Sequence, residues 1–293
     1  MRFDTFLKGG LLLACLLVPI QADAGCRKKC GLPSNSNPTQ DLTERSLNKL
    51  WNHHDDDPGE SHGLNKRVLA QLGAGGLNVN NYVVSRVKAL PNTKTIMFKT
   101  DRSTSRFVEL GERSFDFGME GLCGCTLLLV VSDTHVYGGH YFETLAFDNS
   151  DAENPVNTAD FQGQVINFLD NGSNRRRFPF TVEGPALAPQ AAHFPVGSTR
   201  AYVMAPADAG NLLYPALVNQ LVAKVNALIG TPPIVMDYTP VDEAEDEIRR
   251  RNRQPRLLDS SRGRALYQYD VTAGVRTHRF IFEQTQVFAA QLP

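Results

Sequence analysis

Two cysteines and two histidines lie in GLCGCTLLLVVSDTHVYGGHYFE (121–143), otherwise the most apolar long stretch of the chain after residue 24. A thiol beside an imidazole is the working pair of cysteine-dependent acyl transfer. The thiol is a weak nucleophile at its ordinary pKa of about 8.5, and an adjacent imidazole draws it toward thiolate. Whether the pair meets here depends on strand register. Ser132-Asp133-Thr134-His135 is a polar break between two strand-like runs, which predicts a turn centred on Asp133-Thr134. With that turn Ser132 faces His135, Leu127 faces His140 and Cys125 faces Phe142. Opposed residues share a face, and so do alternate residues along one strand. Cys125, Leu127, His140 and Phe142 therefore project to one side and His135 to the other. The diagonal from Cys125 to His140 is about 7–8 Å between backbones, a gap that a small relaxation or a bulge closes. Gly138-Gly139 before His140 and Gly124 before Cys125 mark where a bulge or a close approach is expected. A main-chain N–H at Gly124 is the natural oxyanion donor.

Leu122-Cys123-Gly124-Cys125-Thr126 at the head of a strand, with a histidine on the next strand, resembles the Leu-Ser-Gly-Cys motif and downstream histidine of the cytotoxic necrotizing factor toxins. Those are protein glutamine deamidases, and the chemoreceptor glutamine deamidases use a related Cys-His pair on a similar scaffold. The resemblance covers about residues 119–143 and implies Cys125 as nucleophile, His140 as general base and a core of packed β-sheets flanked by helices. It also implies a protein substrate bearing a glutamine side chain. Cys123 stands where the toxins carry serine, and no third group orienting His140 is visible. The chain after residue 24 further resembles secreted fungal proteins sharing this hairpin, which implies no activity.

The competing chemistry is oxidation. Arg2 and Lys8 precede the apolar run LLLACLLVPI (11–20), and Ala22-Asp23-Ala24 is a small-x-small cleavage signal, so residues 1–24 read as a secretory signal peptide. That run is shorter than the 20 or so residues that cross a bilayer. The mature protein is expected outside the cell, where thiols oxidise. It holds Cys26, Cys30, Cys123 and Cys125, and four cysteines allow three pairings. Two bridges from the N-terminal segment to the hairpin would leave no nucleophile. Locally, Cys26 can pair with Cys30 within one turn. A Cys123–Cys125 bridge would sit at or beyond the usual Cα limit of about 7 Å and be easily reduced, as suits activation inside a reducing host cell. Cys and His in an apolar strand are also ordinary core residues. Two functions stay open: a secreted, toxin-like thiol amidohydrolase, or a non-catalytic effector or binding module with structural cysteines.

These residues need a scaffold. TIMFKT (95–100), RFVEL (106–110), CTLLLVVS (125–132), HVYGGHYFE (135–143), RAYVMAP (200–206), ALYQYDV (265–271) and HRFIFEQ (278–284) have strand composition. In YPALVNQLVAKVNALIG, apolar residues from Leu217 to Ile229 repeat at three and four, with Pro215 at the start and Gly230 at the stop. PVDEAEDEIRRRNRQ (240–254) is a second helix, acidic first and basic last, and Arg249-Arg250-Arg251 reads as its solvated end. Strands mixed with a few helices, without βαβ alternation or internal repeat, argue for an α+β domain over 68–293.

Residues 25–67 are polar and turn-rich, a candidate pro-segment ending in Lys66-Arg67, a candidate processing pair or a plain exposed loop. Within it, Trp51 reads as a packing residue, and His53-His54-Asp55-Asp56-Asp57 with His62 lacks metal-ligand spacing. Asn171-Gly172-Ser173 is a glycosylation candidate on a surface loop, while His193 and His278 have no recognisable partners in the sequence. No phosphate loop or dinucleotide fingerprint occurs, so no cofactor is expected. Residues 1–24 hold two basic and two acidic residues, so removing them leaves the net charge at −1. No bulk field then favours nucleic acid or membrane as a partner.

Overall fold

The computed structural model describes residues 69–73, 76–90, 103–119, 122–148, 160–173 and 182–293. The signal peptide expected at 1–24, Cys26, Cys30, Trp51, the histidines of 53–62, Lys66-Arg67 and the strand expected at 95–100 lie outside the described residues.

Among the described residues eleven strands make two sheets, so the α+β expectation with packed sheets holds. The larger contains β1 (Ser103–Glu109), β3 (Thr126–Val131), β4 (His135–Tyr141), β5 (Val182–Glu183), β6 (Arg200–Asp208), β7 (Asn211–Leu212) and β8 (Ile234–Tyr238), in the order β5-β1-β4-β3-β6-β7 with β8 also pairing β6. The smaller runs β11-β10-β9-β2, from β2 (Phe115–Met119), β9 (Ala265–Thr272), β10 (Val275–Phe282) and β11 (Thr285–Gln291). All pairs are antiparallel except β1 with β5 and β6 with β8.

Alternation along β3 explains the long apolar run. Leu127, Leu129 and Val131 face the second sheet, meeting Phe117, Tyr267 and Phe280, whereas Leu128 and Val130 face the helices. Each strand residue is buried on one face or the other, so every position from Thr126 to Val131 is apolar or small. On the helical side, Pro215–Ile229 (the longest helix among the described residues) buries Val218, Leu221, Val225 and Ile229, and stops at Gly230 in the left-handed conformation, φ 67°. A helical stretch at 162–171 adds Val165, Phe168 and Leu169 to the same layer. Beyond the small sheet, helix Val79–Lys88 lays Val83 and Val87 on Leu266 and Ile281. The order of layers is thus helix, sheet, sheet, helix.

A polar cluster anchors that first helix. Arg279, 3 % exposed, donates to Gln268 Oε1 (2.8 Å) and Tyr82 Oη (2.9 Å), while Asp116 accepts from Gln268 Nε2 (2.8 Å) and pairs with Arg86. The second expected helix forms over Glu243–Arg251, where the Asp242 side chain caps the N–H groups of Ala244 and Glu245. Arg249, Arg250 and Arg251 pair with Glu245 and Glu247 on its own surface. Their three charges are matched locally, at the helix end that the sequence reads as solvated. Among the described residues no helix is long and apolar enough to cross a membrane.

Candidate functional site

The β3–β4 hairpin turns through Asp133-Thr134, with the Ser132 N–H donating to the His135 carbonyl at 2.9 Å. Its register opposes Leu127 to His140 and Thr126 to Tyr141, which sets Cys125 across from Phe142. Cys125 and Phe142 both belong to the inter-sheet core with Leu127. His140 lies in one cross-sheet row with Met204, Leu127 and Thr104, so it faces the same side. His135 turns to the other face, stacked on Phe107 with ring centroids 4.9 Å apart.

The register is continuous through Gly138 and Gly139, against the bulge expected there. The glycine answers a different need. A β-carbon at Gly139 would come within 2.9 Å of the Tyr141 hydroxyl, so Gly139 makes room for two tyrosines on the helical face.

Burial dominates the setting. Cys125 is 1 % exposed and His140 0 %. Loss of solvation pushes the His140 pKa down to about 3, so its imidazole is neutral at physiological pH. Cys125 carries a free thiol, so it is not bridged to Cys123, which is 3 % exposed. Pairings of either residue with Cys26 or Cys30 fall outside the described residues.

The turn that presents Cys125 is fastened by three groups that the sequence reading did not single out. Gly124 has φ 144°, a conformation open to glycine. Its N–H, the expected oxyanion donor, donates to the Tyr238 hydroxyl at 3.1 Å, and that hydroxyl donates onward to the Cys125 carbonyl at 2.6 Å. Burial first, and then the nearby Cys125 and Glu143, raise the Tyr238 pKa well above its ordinary value. A β-carbon at Gly124 would collide with the Glu143 carboxylate, which therefore lies directly over this α-carbon. Tyr214, the residue ahead of helix Pro215–Ile229, donates its hydroxyl to Glu143 Oε1 at 2.7 Å. Glu143 and Tyr214 are half-buried, in contrast to the cysteines and Tyr238. One clue was available: Glu143 follows Phe142, the residue that the register sets opposite Cys125.

The other candidates take separate places. Asn171 is exposed at a helix end, its side-chain amide donating to the Asn167 carbonyl at 3.1 Å. His193 and His278 do have partners. His193 packs on His135 with ring centroids 4.0 Å apart. His278, 4 % exposed, meets the Tyr267 hydroxyl at 3.1 Å, and burial, then Arg200, lowers its pKa to about 4. Among the described residues no group of three or more His, Cys, Asp or Glu is placed to hold a metal. No protein-family model, curated protein or solved structure matches this chain.

Proposed function

We propose that this chain is an exported thiol amidohydrolase acting on a primary carboxamide, with a protein glutamine side chain as the substrate that the hairpin's resemblance implies. The observation carrying this reading is the register that sets His140 one diagonal from the free thiol of Cys125 on a shared face. His140 removes the proton from Cys125 Sγ, and sulfur attacks the carboxamide carbon. The tetrahedral intermediate expels ammonia, which takes the proton back from His140. Water, deprotonated by His140, then attacks the thioester, freeing the carboxylic acid and restoring the thiol. The net reaction is amide plus water to acid plus ammonia. With its pKa lowered to about 3 by burial, the imidazole is a weak base in the closed fold, so this reading requires solvent to reach His140 before it takes the thiol proton.

A second reading rests on burial. With Cys125 at 1 % and His140 at 0 % exposure, and the Gly124 N–H engaged by Tyr238, the cysteines are core residues of a non-catalytic effector or binding module.

Alkylation of the folded, reduced protein separates the two. Iodoacetamide is added at pH 7.5 and the labelled cysteine located by peptide mass, in wild type and in His140→Asn, with the fold checked by circular dichroism. Catalysis predicts labelling of Cys125 without denaturant, slowed at least tenfold in His140→Asn. A Cys125 that labels only after unfolding, or at one rate in both proteins, overturns the enzyme reading and leaves the second.

A further inference from the structure

We infer that His135 and His193 form a two-imidazole site for a nitrogen-seeking divalent cation of the nickel or copper type, at the turn end of the β3–β4 hairpin. The pair lies on the helical face of the sheet, away from the inter-sheet core that holds Cys125, and stands whether or not Cys125 is a nucleophile. His135 opens β4, and His193 closes the 3₁₀ helix Ala188–His193. Their ring centroids are 4.0 Å apart and their planes are tilted by 43°. A third ring holds both, since Phe107 stacks on His135 at 4.9 Å and lies 5.5 Å from His193. Phe194, 1 % exposed, packs edge-on to Phe107 and so anchors the backbone that carries His193. His193 is exposed and His135 half-buried, so an ion reaches the pair from solvent without any opening of the core.

A neutral imidazole offers a metal ion one lone pair, and a hydrogen bond at its other nitrogen decides which. Thr134 Oγ1 lies 2.9 Å from His135 Nδ1 and has Ser132 Oγ, 3.4 Å away, to donate to. With Thr134 accepting from Nδ1–H, the His135 lone pair is left at Nε2, its ring steadied by an outer hydrogen bond as metal-binding histidines are. Burial first, and then His193, lowers the His135 pKa, which keeps the ring neutral at physiological pH. Glu109 stands opposite His135 in the β1–β4 register and sets a negative charge beside it. The spacing selects among ions. With each nitrogen about 2.0–2.1 Å from the metal and each ring centre about 1.1 Å behind its nitrogen, centroids 4.0 Å apart subtend about 80° at the ion. That is close to the angle of about 90° between neighbouring ligands in a tetragonal or octahedral ion and well short of the tetrahedral angle of about 109°, which favours nickel or copper over zinc. Water fills the remaining positions, and a hard ion such as Mg²⁺, which takes oxygen ligands, gains nothing from two imidazoles.

Ni²⁺ is the probe, because it does not oxidise the free thiols. The full chain is treated with diethyl pyrocarbonate at pH 7.5 over a range of Ni²⁺ concentrations, and modification of each histidine is followed by peptide mass, which separates this pair from His53, His54 and His62. In wild type, Ni²⁺ should protect His135 and His193 together, at one half-saturating concentration, while Mg²⁺ protects neither. In His135→Gln, protection of His193 should need at least about tenfold more Ni²⁺, since the second imidazole no longer closes the chelate. His193→Gln changes an exposed side chain and serves as the variant for a second measurement, urea unfolding with and without 1 mM Ni²⁺. An ion held by both rings stabilises only the folded chain, where the two meet, so Ni²⁺ should raise the wild-type midpoint relative to that of His193→Gln. Protection of His193 at the same Ni²⁺ concentration in wild type and His135→Gln, no protection of the pair in wild type, or a midpoint gap that Ni²⁺ leaves unchanged overturns the site.

Discussion

Acid should weaken this fold through its buried histidines, and His140 sets the size of the effect. Its folded pKa is about 3 against an ordinary 6.5, because burial penalises the imidazolium. In the unfolded chain the same ring takes up a proton as pH falls through its ordinary value. Between about pH 6.5 and 3 the unfolded state therefore binds more protons, and stability falls as pH falls. The contribution is complete above the upper limit and gone below the lower one. At about 1.4 kcal/mol per pH unit, His140 alone costs about 2 kcal/mol between pH 7.5 and pH 5. His278, lowered to about 4, acts in the same direction with a narrower window. Urea unfolding followed by circular dichroism at pH 7.5, 6.5, 5.5 and 5, in wild type and His140→Gln, isolates the term, since carboxylates titrate alike in both. The gap between the two proteins should shrink by about 2 kcal/mol on going to pH 5, whatever the substitution costs at pH 7.5. A constant gap would refute a neutral buried imidazole. A gap that widens on acidification would reverse the sign and mean that the folded state holds His140 as imidazolium against a Cys125 thiolate.

Gly124→Ala should cost at least about 1–3 kcal/mol in urea unfolding from its positive φ alone, more with the Glu143 collision, and a cost under about 0.5 kcal/mol would contradict the close approach. Tyr238→Phe strands the buried Gly124 N–H and Cys125 carbonyl and should cost about 1–3 kcal/mol with little change in far-ultraviolet circular dichroism. Arg279→Met leaves Gln268, Tyr82 and Ala70 without their shared donor and should lower stability by about 3 kcal/mol or more, with amide exchange rising first in helix Val79–Lys88. Protein recovered from culture medium should have an intact mass beginning at Val68 if Lys66-Arg67 is processed, and at Gly25 if only the signal peptide is removed.

Period and punctuation made the centre of the fold legible. CTLLLVVS, RAYVMAP and ALYQYDV are long, β-rich and bounded by turn residues, and they became β3, β6 and β9 within a residue or two at most ends. The Pro215–Ile229 helix carried both its start and its stop. Edge and outer strands were not legible. β8 reads IVMDY after two prolines, and β11, TQVFAAQ, mixes polar and small residues because only Phe288 there is fully inward. Half-buried strands need less apolar content, so pattern alone gives them away less. β2, FDFGM, buries Asp116 and Gly118 at the end of the small sheet because the half-exposed Arg86 reaches in to pair with Asp116 and Leu90 packs against Gly118, at what would otherwise be apolar positions.

The same division runs through the candidate site. Cys125 and His140 could be placed on one face because a two-residue turn fixes register, and register fixes every facing pair along the hairpin. The groups that govern the turn come from elsewhere in the chain. Tyr238 arrives 113 residues after Cys125 on an edge strand, and Tyr214 reaches Glu143 across 71 residues from the start of a helix. No local period announces such contacts. Glycine does, indirectly: Gly124 was singled out as a point of close approach, and what approaches is a carboxylate rather than a substrate. That substitution of one visitor for another is why Glu143 matters to either function. In a binding module it is a strut that holds the Cys123–Cys125 turn closed. In an enzyme the same strut steadies the turn that carries the nucleophile, so a variant that loosens the carboxylate, Tyr214→Phe, should change the rate at which a neutral reagent alkylates Cys125 in the enzyme and leave Cys125 unreactive in the module.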